Sequence, residues 1–421
     1  MPPYTLSRRS FGAALAGAVG LVALGACAST ATAESGTTAG AGLFDPAVVH
    51  DIDFTFAQAD YDAMIDTYLD SGDKKWIEAT VVVDGTTFER AGLRLKGNSS
   101  LRGLTKGDST ETGNPQNLPW LVRLDKYVDG QNLGGYTEFV VRSNNSASSL
   151  NEAVALELLG EAGLATQKSA STRLSVAGGT DVLRLIIENP ADKWAADNFT
   201  GAGVLYKAEA NGDYSYRGDD AASYTDVFDV EAGDEDFAPL TAFLKFLNES
   251  DDATFGSELG DHLDTGAFAT YLAVQELIKN SDDIDGPGNN SYLRYTTDKD
   301  QFTVVAWDHN LAFGGMGGGG GNRGGGDRGG ARPEGGGQQR PDQAGRMGGR
   351  SNILVTRFNA NSTFKAAYEK ALTDLKADLY TSGRAAEILR TRAAVLTANA
   401  TDLISADTVT SEANSIKAYF A

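Results

Sequence analysis

The stretch LIKNSDDIDGPGNNSYLRYTTDKDQFTVVAWDHNLAFGG, Leu277 to Gly315, decides how the chain is read. It opens on the end of a helix and passes through an acidic Asn/Gly-rich loop into a hairpin. An apolar strand, Phe302 to Trp307, then delivers a single acid, Asp308. Gly286 and Gly288 give the loop turn freedom, and Asp298 to Asp300 turns the hairpin. Because a hairpin returns the chain on itself, Asp308 is expected beside Asn289 and Asn290 at the start of the preceding strand. Carboxylates and carboxamides gathered where the backbone is free are what hard-cation chemistry with phosphates asks for.

Working upstream, Thr265 to Lys279 and Phe237 to Asn248 read as helices, and Asp213 to Asp236 as an exposed acidic loop region. Val204 to Lys207, Val182 to Glu188 and Thr172 to Val176 read as strands, with Pro190 to Phe199 a helix begun by proline. Ser148 to Gly163 is a helix in which Ser149 and Glu152 have capping-box spacing. Tyr136 to Arg142 and Trp120 to Leu124 are further strands. Ala79 to Val83 and Thr86 to Lys96 flank Asp84-Gly85, a favoured two-residue hairpin turn. The inward phase of Phe88, Leu93 and Leu95 is broken, which predicts a bulge near Ala91-Gly92. Ile52, Phe54 and Phe56 alternate as a strand, and Tyr61, Ile65 and Leu69 recur at helical spacing. Downstream, residues 316–350 are a Gly/Arg/Gln/Pro insert that cannot form a packed core. Phe364, Tyr368, Leu372, Leu375 and Leu379 mark an amphipathic helix, and Ala385 to Ala406 another.

The N-terminal residues 1–27 carry Arg8-Arg9, then Phe11 and a short apolar segment that ends Leu24-Gly25-Ala26-Cys27. The first part is similar to a twin-arginine export signal and the second to a bacterial lipobox. The expectation is an exported protein anchored to the outer face of a bacterial cell membrane through lipidated Cys27. An ordinary cleavage after Ala33, giving an extracellular product, is the alternative. Residues 28–44 then serve as a flexible tether, 45–315 as the catalytic region, and 351–421 as helices that complete its domain.

At 421 residues and 41% hydrophobic content the chain can bury a sizeable core. Its formal charge of −21 argues against nucleic acid as a partner. Cys27 is the one cysteine, so the folded part has neither disulfides nor a thiolate zinc site. Three scattered histidines (His50, His262, His309) make an all-histidine metal site improbable, and no G-x-S-x-G elbow accompanies them.

Asp, Asn, hairpin and Asp, in that order, is the arrangement of a protein-kinase active site: a proton acceptor and two metal ligands. A calcium loop competes, since Ser281, Asp283, Asp285 and Gly286 imitate the start of an EF-hand. The position that should be Glu is Tyr292, however. A merely solvated acidic turn leaves unexplained why Asp308 ends an apolar strand.

Asn280-Ser281-Asp282, Asn289 to Leu293 and Ala306 to Gly314 together resemble the CotH kinase family of secreted atypical kinases. So do LRLKGNSSLRG (Leu93–Gly103), PWLVRLDKY, Glu188 and Leu205-Tyr206-Lys207. The resemblance implies an α+β, atypical protein-kinase-like fold with a mostly antiparallel N-terminal sheet and a helical C-terminal lobe. It implies transfer of the γ-phosphoryl group of ATP, with Mg²⁺ or Mn²⁺ (Ca²⁺ also open), to Ser/Thr hydroxyls of a protein substrate. Asp282 is then the catalytic base, with Asp285, five residues before Asn290, as its rival. Asn290, neighboured by Asn289, and Asp308 are the metal ligands. Asn98 and Ser99 belong to the nucleotide-side turn. Lys96, Arg123 or Lys207 faces the phosphates, oriented by Glu188. The family pattern has a second acid two residues after the metal Asp, and this chain has Asn310 there. A catalytically weak, cation-dependent envelope-binding protein is the alternative function, and the oligomeric state stays open.

Overall fold

The computed structural model describes residues 42–101, 104, 114–209, 212–280, 282–285, 290–314 and 352–421. The segment expected to be an export signal, the Gly-rich insert, all but the end of the expected tether, and Asn289 lie outside them. Leu43 and Phe44, read from sequence as the end of the tether, are buried; Phe44 meets Tyr136 edge-on at 4.9 Å.

Seven strands close into a barrel: β1 (Val49–Phe56), β2 (Ile77–Val83), β3 (Thr86–Leu95), β4 (Trp120–Arg123), β5 (Glu138–Val141), β6 (Ser169–Val176) and β7 (Val182–Ile187). Their order is β1-β2-β3-β4-β5-β7-β6. Every neighbouring pair is antiparallel except β1 with β6, whose parallel pairing closes the ring. Alternation decides what fills it: Ile52, Phe54, Leu93, Leu95, Trp120, Val122, Phe139 and Val141 share the interior. The residues between them on β4, β5 and β7, Leu121, Val140, Leu185 and Ile187, join a second core shared with the helices. One strand set therefore serves two cores.

The β2–β3 turn has Asp84 at φ 48° and Gly85 at φ 79°, the left-handed pair such a turn needs. The bulge falls at Glu89-Arg90, slightly before the expected place. Ala79 faces Ala91 while Val81 faces Phe88, and Arg90 (φ 54°) belongs to the extra residue pair. Helix α1 (Gln58–Ser71) buries Tyr61, Met64 and Ile65, while Leu69 is exposed. A four-residue step drifts by about 40° on a 3.6-residue helix, so a stripe of fourth residues leaves the buried face after two steps. Helix α2 (Leu150–Glu161) is buried along most of its length. The expected capping box is absent from it: Ser149 is left-handed (φ 53°) and caps nothing with its side chain.

Helix α3 (Asp192–Asn198) leads to a four-stranded antiparallel sheet of β8 (Gly203–Ala208), β9 (Phe228–Ala232), β10 (Ser291–Thr296) and β11 (Gln301–Ala306), ordered β11-β10-β8-β9. Strand β9 corrects the reading of 213–236 as exposed loop. Tyr214, Tyr224, Val227 and Phe228 are buried there, and the Tyr214 hydroxyl meets Ser291 Oγ at 3.0 Å. The remaining helices are α4 (Ala238–Glu249), α5 (Asp252–His262), α6 (Thr265–Leu277), α7 (Ile353–Ala360), α8 (Ser362–Leu375), α9 (Arg384–Asn399) and α10 (Ala406–Lys417); α5 and α6 pack on β11, α8 on α6, and α9 and α10 on α2.

The expected single helix through Leu379 is instead α8 followed by a π-helical turn, Lys376–Thr381. There Leu379 and Tyr380 are buried, and the Tyr380 hydroxyl donates to Leu277 O at 2.7 Å. The expected helix from Ala385 to Ala406 is divided: α9 stops at Asn399 and α10 starts afresh, with Ser405 Oγ accepting from Thr408 N. The chain is thus mixed α+β, rich in sheet toward its N-terminus and in helix toward its C-terminus.

Candidate active site

Strand β11 is apolar, with Phe302, Val304, Val305 and Ala306 buried, and the chain leaves it at Trp307 into Asp308. Asp308 is left-handed (φ 62°), a conformation that Asp tolerates better than most residues but that must be held by its surroundings. Part of the hold is Arg142, the residue after β5. Its Nη2 donates to Asp308 Oδ1 and, at 3.0 Å, to Glu152 Oε1, while its Nε donates to Glu152 Oε2 at 3.0 Å. The side chains of Arg142, Glu152 and Asp308 are 9%, 4% and 24% exposed, so the pair is interior and Asp308 is at its mouth.

Burial works against the Arg142 charge, but Asp308 and Glu152 outweigh it and hold the guanidinium pKa above its ordinary value. Burial, joined by the charge of Asp308, pulls the Glu152 carboxyl above the usual carboxylate range despite Arg142. From sequence Arg142 was read only as a strand end and Glu152 only as half of a capping box, neither as a site residue. Their signal was an arginine closing the apolar run Phe139-Val140-Val141, and an acid within the first turn of an otherwise apolar helix.

The loop after α6 brings Asp282 to the same place. Burial raises its carboxyl, the charge of Asp308 raises it further, and Asn290 opposes both. Asn290 donates its amide to Asp282 O at 2.7 Å, which leaves its oxygen as the atom able to meet a cation. Asp285 N–H bonds Asp283 Oδ1 at 3.0 Å, and its carboxyl is raised by burial, with no contribution from Asp308. The hairpin sets Asn290 beside the end of β11 that leads into Asp308, and the Asn290 amide ties in Asp282, whose carboxyl feels the charge of Asp308. Asn289 lies outside the described residues.

Lys96, immediately after β3, donates to Asn189 Oδ1 at 2.9 Å, and its ammonium lies 5.6 Å from the Trp307 ring centroid. The Arg142 guanidinium lies 5.8 Å from the same ring. The tryptophan beside Asp308 is therefore shared by two cations. Desolvation, only partly offset by Glu231, pulls the Lys96 pKa down to about 8. Asn189 in turn donates to Glu138 Oε1 at 3.0 Å. Both residues line a cleft of ≈ 280 Å³ that is also bounded by Arg94, Arg123, Lys126 and Glu188. Lys96 stands between this cleft and the acids.

The remaining expected nucleotide-side residues are placed differently. Arg123 lines the cleft but pairs with Asp125 at 2.9 Å. Lys207 pairs with Glu209. Glu188 accepts from Lys168 N at 2.8 Å and lies 3.5 Å from Lys168 Nζ, so it orients neither Lys96, Arg123 nor Lys207. The reason is register: Glu188 follows β7 and faces the start of β6, where Lys168 lies. Asn98 accepts through its carbonyl from Leu101 N at 3.1 Å, starting the short turn Ser99–Leu101; the Ser99 side chain is outside the description. A buried cation–carboxylate pair is present instead at Arg142 and Glu152.

Lys207 also faces Asp229 across β8 and β9. Burial, then the hydrogen bond and charge of Glu209, push the Asp229 carboxyl up to about 6. A carboxyl raised in the folded state contributes stability below its unfolded value, and that contribution is lost as pH rises through about 6. Asp229→Asn, which has no proton to lose, is expected to flatten the fall of Tm from about pH 4 to about pH 7, measured by thermal melts.

Among the described residues no three His, Cys, Asp or Glu side chains gather as a metal site. The oxygen set here is two carboxylates and one carboxamide. That is fewer ligands than a protein-only cage requires and suits a cation whose coordination is completed by phosphate and water.

Comparison with curated proteins gives no match. A family described as CotH kinase protein matches residues 93–411, a span that takes in Arg142, Glu152, Asp282, Asn290 and Asp308. Since that match runs from the third barrel strand into the last helix, the chain belongs to the CotH kinase family.

Proposed function

We propose that this chain is an exported atypical kinase that transfers the γ-phosphoryl group of ATP to Ser or Thr hydroxyls of a protein. The observation that carries the reading is the convergence of Asp282, Asn290 and Asp308 beside the buried Arg142–Glu152 pair. Asp308 and the Asn290 oxygen would hold Mg²⁺ or Mn²⁺, and the donor set suits either ion. When bound, the cation neutralises phosphate oxygens and draws off the charge that develops on them.

The protein's own groups do the rest. Arg142 spends Nε and Nη2 on Glu152 and Asp308, and Nη1, unpartnered among the described residues, would donate to phosphate oxygen. Glu152 fixes the plane of that guanidinium. Lys96 offers a second cation at the cleft, where the nucleoside end of ATP would lie. Asp282 accepts the proton of the attacking hydroxyl as its oxygen bonds to the γ-phosphorus. The bond from that phosphorus to the bridging oxygen breaks, and ADP leaves with the electron pair.

The test is incubation of the purified protein with γ-labelled ATP, Mn²⁺ and a mixed Ser/Thr peptide library. Label on peptide hydroxyls, prevented by EDTA, is the expected result. Asn310 favours a second reading, a cation-binding scaffold in the cell envelope without turnover, because it removes one acid from the family pattern. Calorimetry separates the two: Mn²⁺ binding without affinity for ATP overturns the kinase.

A further inference from the structure

Under the two acid-bearing loops runs a buried line of hydrogen bonds. Asp282 N–H donates to Asn280 Oδ1 at 3.4 Å, Asn280 Nδ2 donates to Gln275 Oε1 at 2.9 Å, and Gln275 Nε2 meets His309 Nε2 at 3.1 Å. Asn280, Gln275 and His309 are 7%, 2% and 0% exposed. Its direction follows from its first member. A main-chain N–H only donates, so Asn280 must present its oxygen to Asp282 and its nitrogen to Gln275. Gln275 must then present its oxygen to Asn280 and its nitrogen to His309. Read in this direction the line makes His309 Nε2 the acceptor and puts the ring proton on Nδ1, a buried atom with no partner among the described residues. Turning either carboxamide over would set nitrogen against nitrogen or oxygen against oxygen among buried side chains, where an unmade hydrogen bond is costly.

The line joins the main chain of Asp282 to the residue following Asp308, and Gln275 is its link on a rigid element, α6. A second tie from the same helix end closes the far side of the turn: Phe313 N–H donates to Ile278 O at 2.6 Å. Both Asp308 (φ 62°) and Phe313 (φ 55°) are left-handed, so the turn between them needs fastening at each end. Gln275 does not touch the place where substrate would sit; it acts through His309 and Asn280.

We infer that Gln275 is a positioning residue that sets the Asp282 loop and the Asp308 loop in fixed relation, so that proton acceptor and cation ligand meet one γ-phosphate. This rests on the kinase reading above. Lys96 and Arg142 are not part of the line, so loss of Gln275 should harm turnover more than ATP affinity.

The experiment uses the full chain and two variants. In Gln275→Leu, kcat for label transfer is expected to fall by about 10–100-fold and Mn²⁺ affinity by a similar factor, the range for groups that orient metal ligands. At saturating Mn²⁺, KM for ATP should change much less than kcat, because Lys96 and Arg142 are outside the line. Gln275→Glu keeps the shape and still accepts from Asn280, but it offers no donor to His309. Its ring proton must then appear on Nε2 in long-range ¹H–¹⁵N spectra, whereas the wild type shows it on Nδ1. This variant serves if the leucine variant does not fold. Wild-type kcat and Mn²⁺ affinity in both folded variants overturn the inference, as does a wild-type His309 protonated on Nε2. If the wild type transfers no label while Mn²⁺ affinity and the histidine signals respond as stated, the kinase reading fails and the tie stands.

Discussion

Arg142→Met is expected to destabilise the fold by about 3–5 kcal/mol and to abolish phosphoryl transfer, because it removes one partner of a buried charge cluster and strands the others. Methionine fills much of the volume, so the loss reports charge rather than a cavity. Glu152, 4% exposed and left without its bidentate partner, would have to take up a proton or sit as an uncompensated anion. The first option is available at low pH, since burial and Asp308 already hold its carboxyl above the usual range. A raised carboxyl contributes stability when protonated and loses it as pH rises. The deficit of Arg142→Met should therefore be larger at about pH 8 than at about pH 5, measured as the shift of the urea midpoint. Adding Glu152→Gln should recover part of the loss at the higher pH, because it removes the stranded charge. Recovery of stability without recovery of label transfer would separate the two duties of the arginine, holding Asp308 and meeting phosphate. An Arg142→Met protein that unfolds at the wild-type urea concentration would mean that the cluster holds nothing.

Local order was legible in the sequence, and long-range closure was not. The alternation of Ile52 and Phe54, the Asp84-Gly85 turn and the hairpin between Asn290 and Asp308 are set by neighbours a few residues apart. Each was found where expected. Closure of the barrel depends on β1 meeting β6 in parallel across more than half the described N-terminal region, and no local pattern encodes that pairing. Strand β9 was hidden because acids at Asp229 and Glu231 mask the buried Phe228 and Ala232 that frame them.

The site shows the same limit in sharper form. Glu152 three residues after Ser149 has the spacing of a capping box, and only the fold reveals that its carboxylate turns to Arg142. A cap and an interior ion pair share one local signature. Lys96 could be singled out because the end of a strand before a Gly-containing turn is visible in sequence; its partners, Asn189 and Trp307, could not. Glu188 was misplaced because its partner is chosen by sheet register, which puts Lys168 opposite it. Thus the order of Asp282, Asn290 and Asp308 was legible in one stretch, while the cation beside Asp308, Arg142, follows a strand far upstream.

Asp282→Asn is expected to lower kcat by about 10²–10⁴-fold, the usual worth of a positioned general base, while Asp285→Asn leaves the rate near that of the wild type. The two are rivals by sequence, since both lie in one loop and Asp285 has the familiar five-residue distance to Asn290. Structure divides them by electrostatics: Asp308 acts on Asp282, whereas Asp285 is raised by burial. On the proposed kinase reading, the carboxyl that feels the charge of Asp308 is the one placed to serve the γ-phosphate. Stability gives an independent check on whether a lost rate means a lost fold. Each carboxyl has a folded pKa above its unfolded value of about 3.9, so its contribution to stability is lost as pH rises through the folded pKa. At about pH 7 the ionised Asp282 therefore works against the fold, and asparagine relieves it. In EDTA, where no cation screens the acids, Asp282→Asn should melt above the wild type at about pH 7, with the gap closing below about pH 4. A variant more stable than its parent and nearly without turnover has lost chemistry, not structure. If instead Asp285→Asn loses the rate and Asp282→Asn keeps it, the base is Asp285, and the charge of Asp308 on Asp282 belongs to metal binding alone.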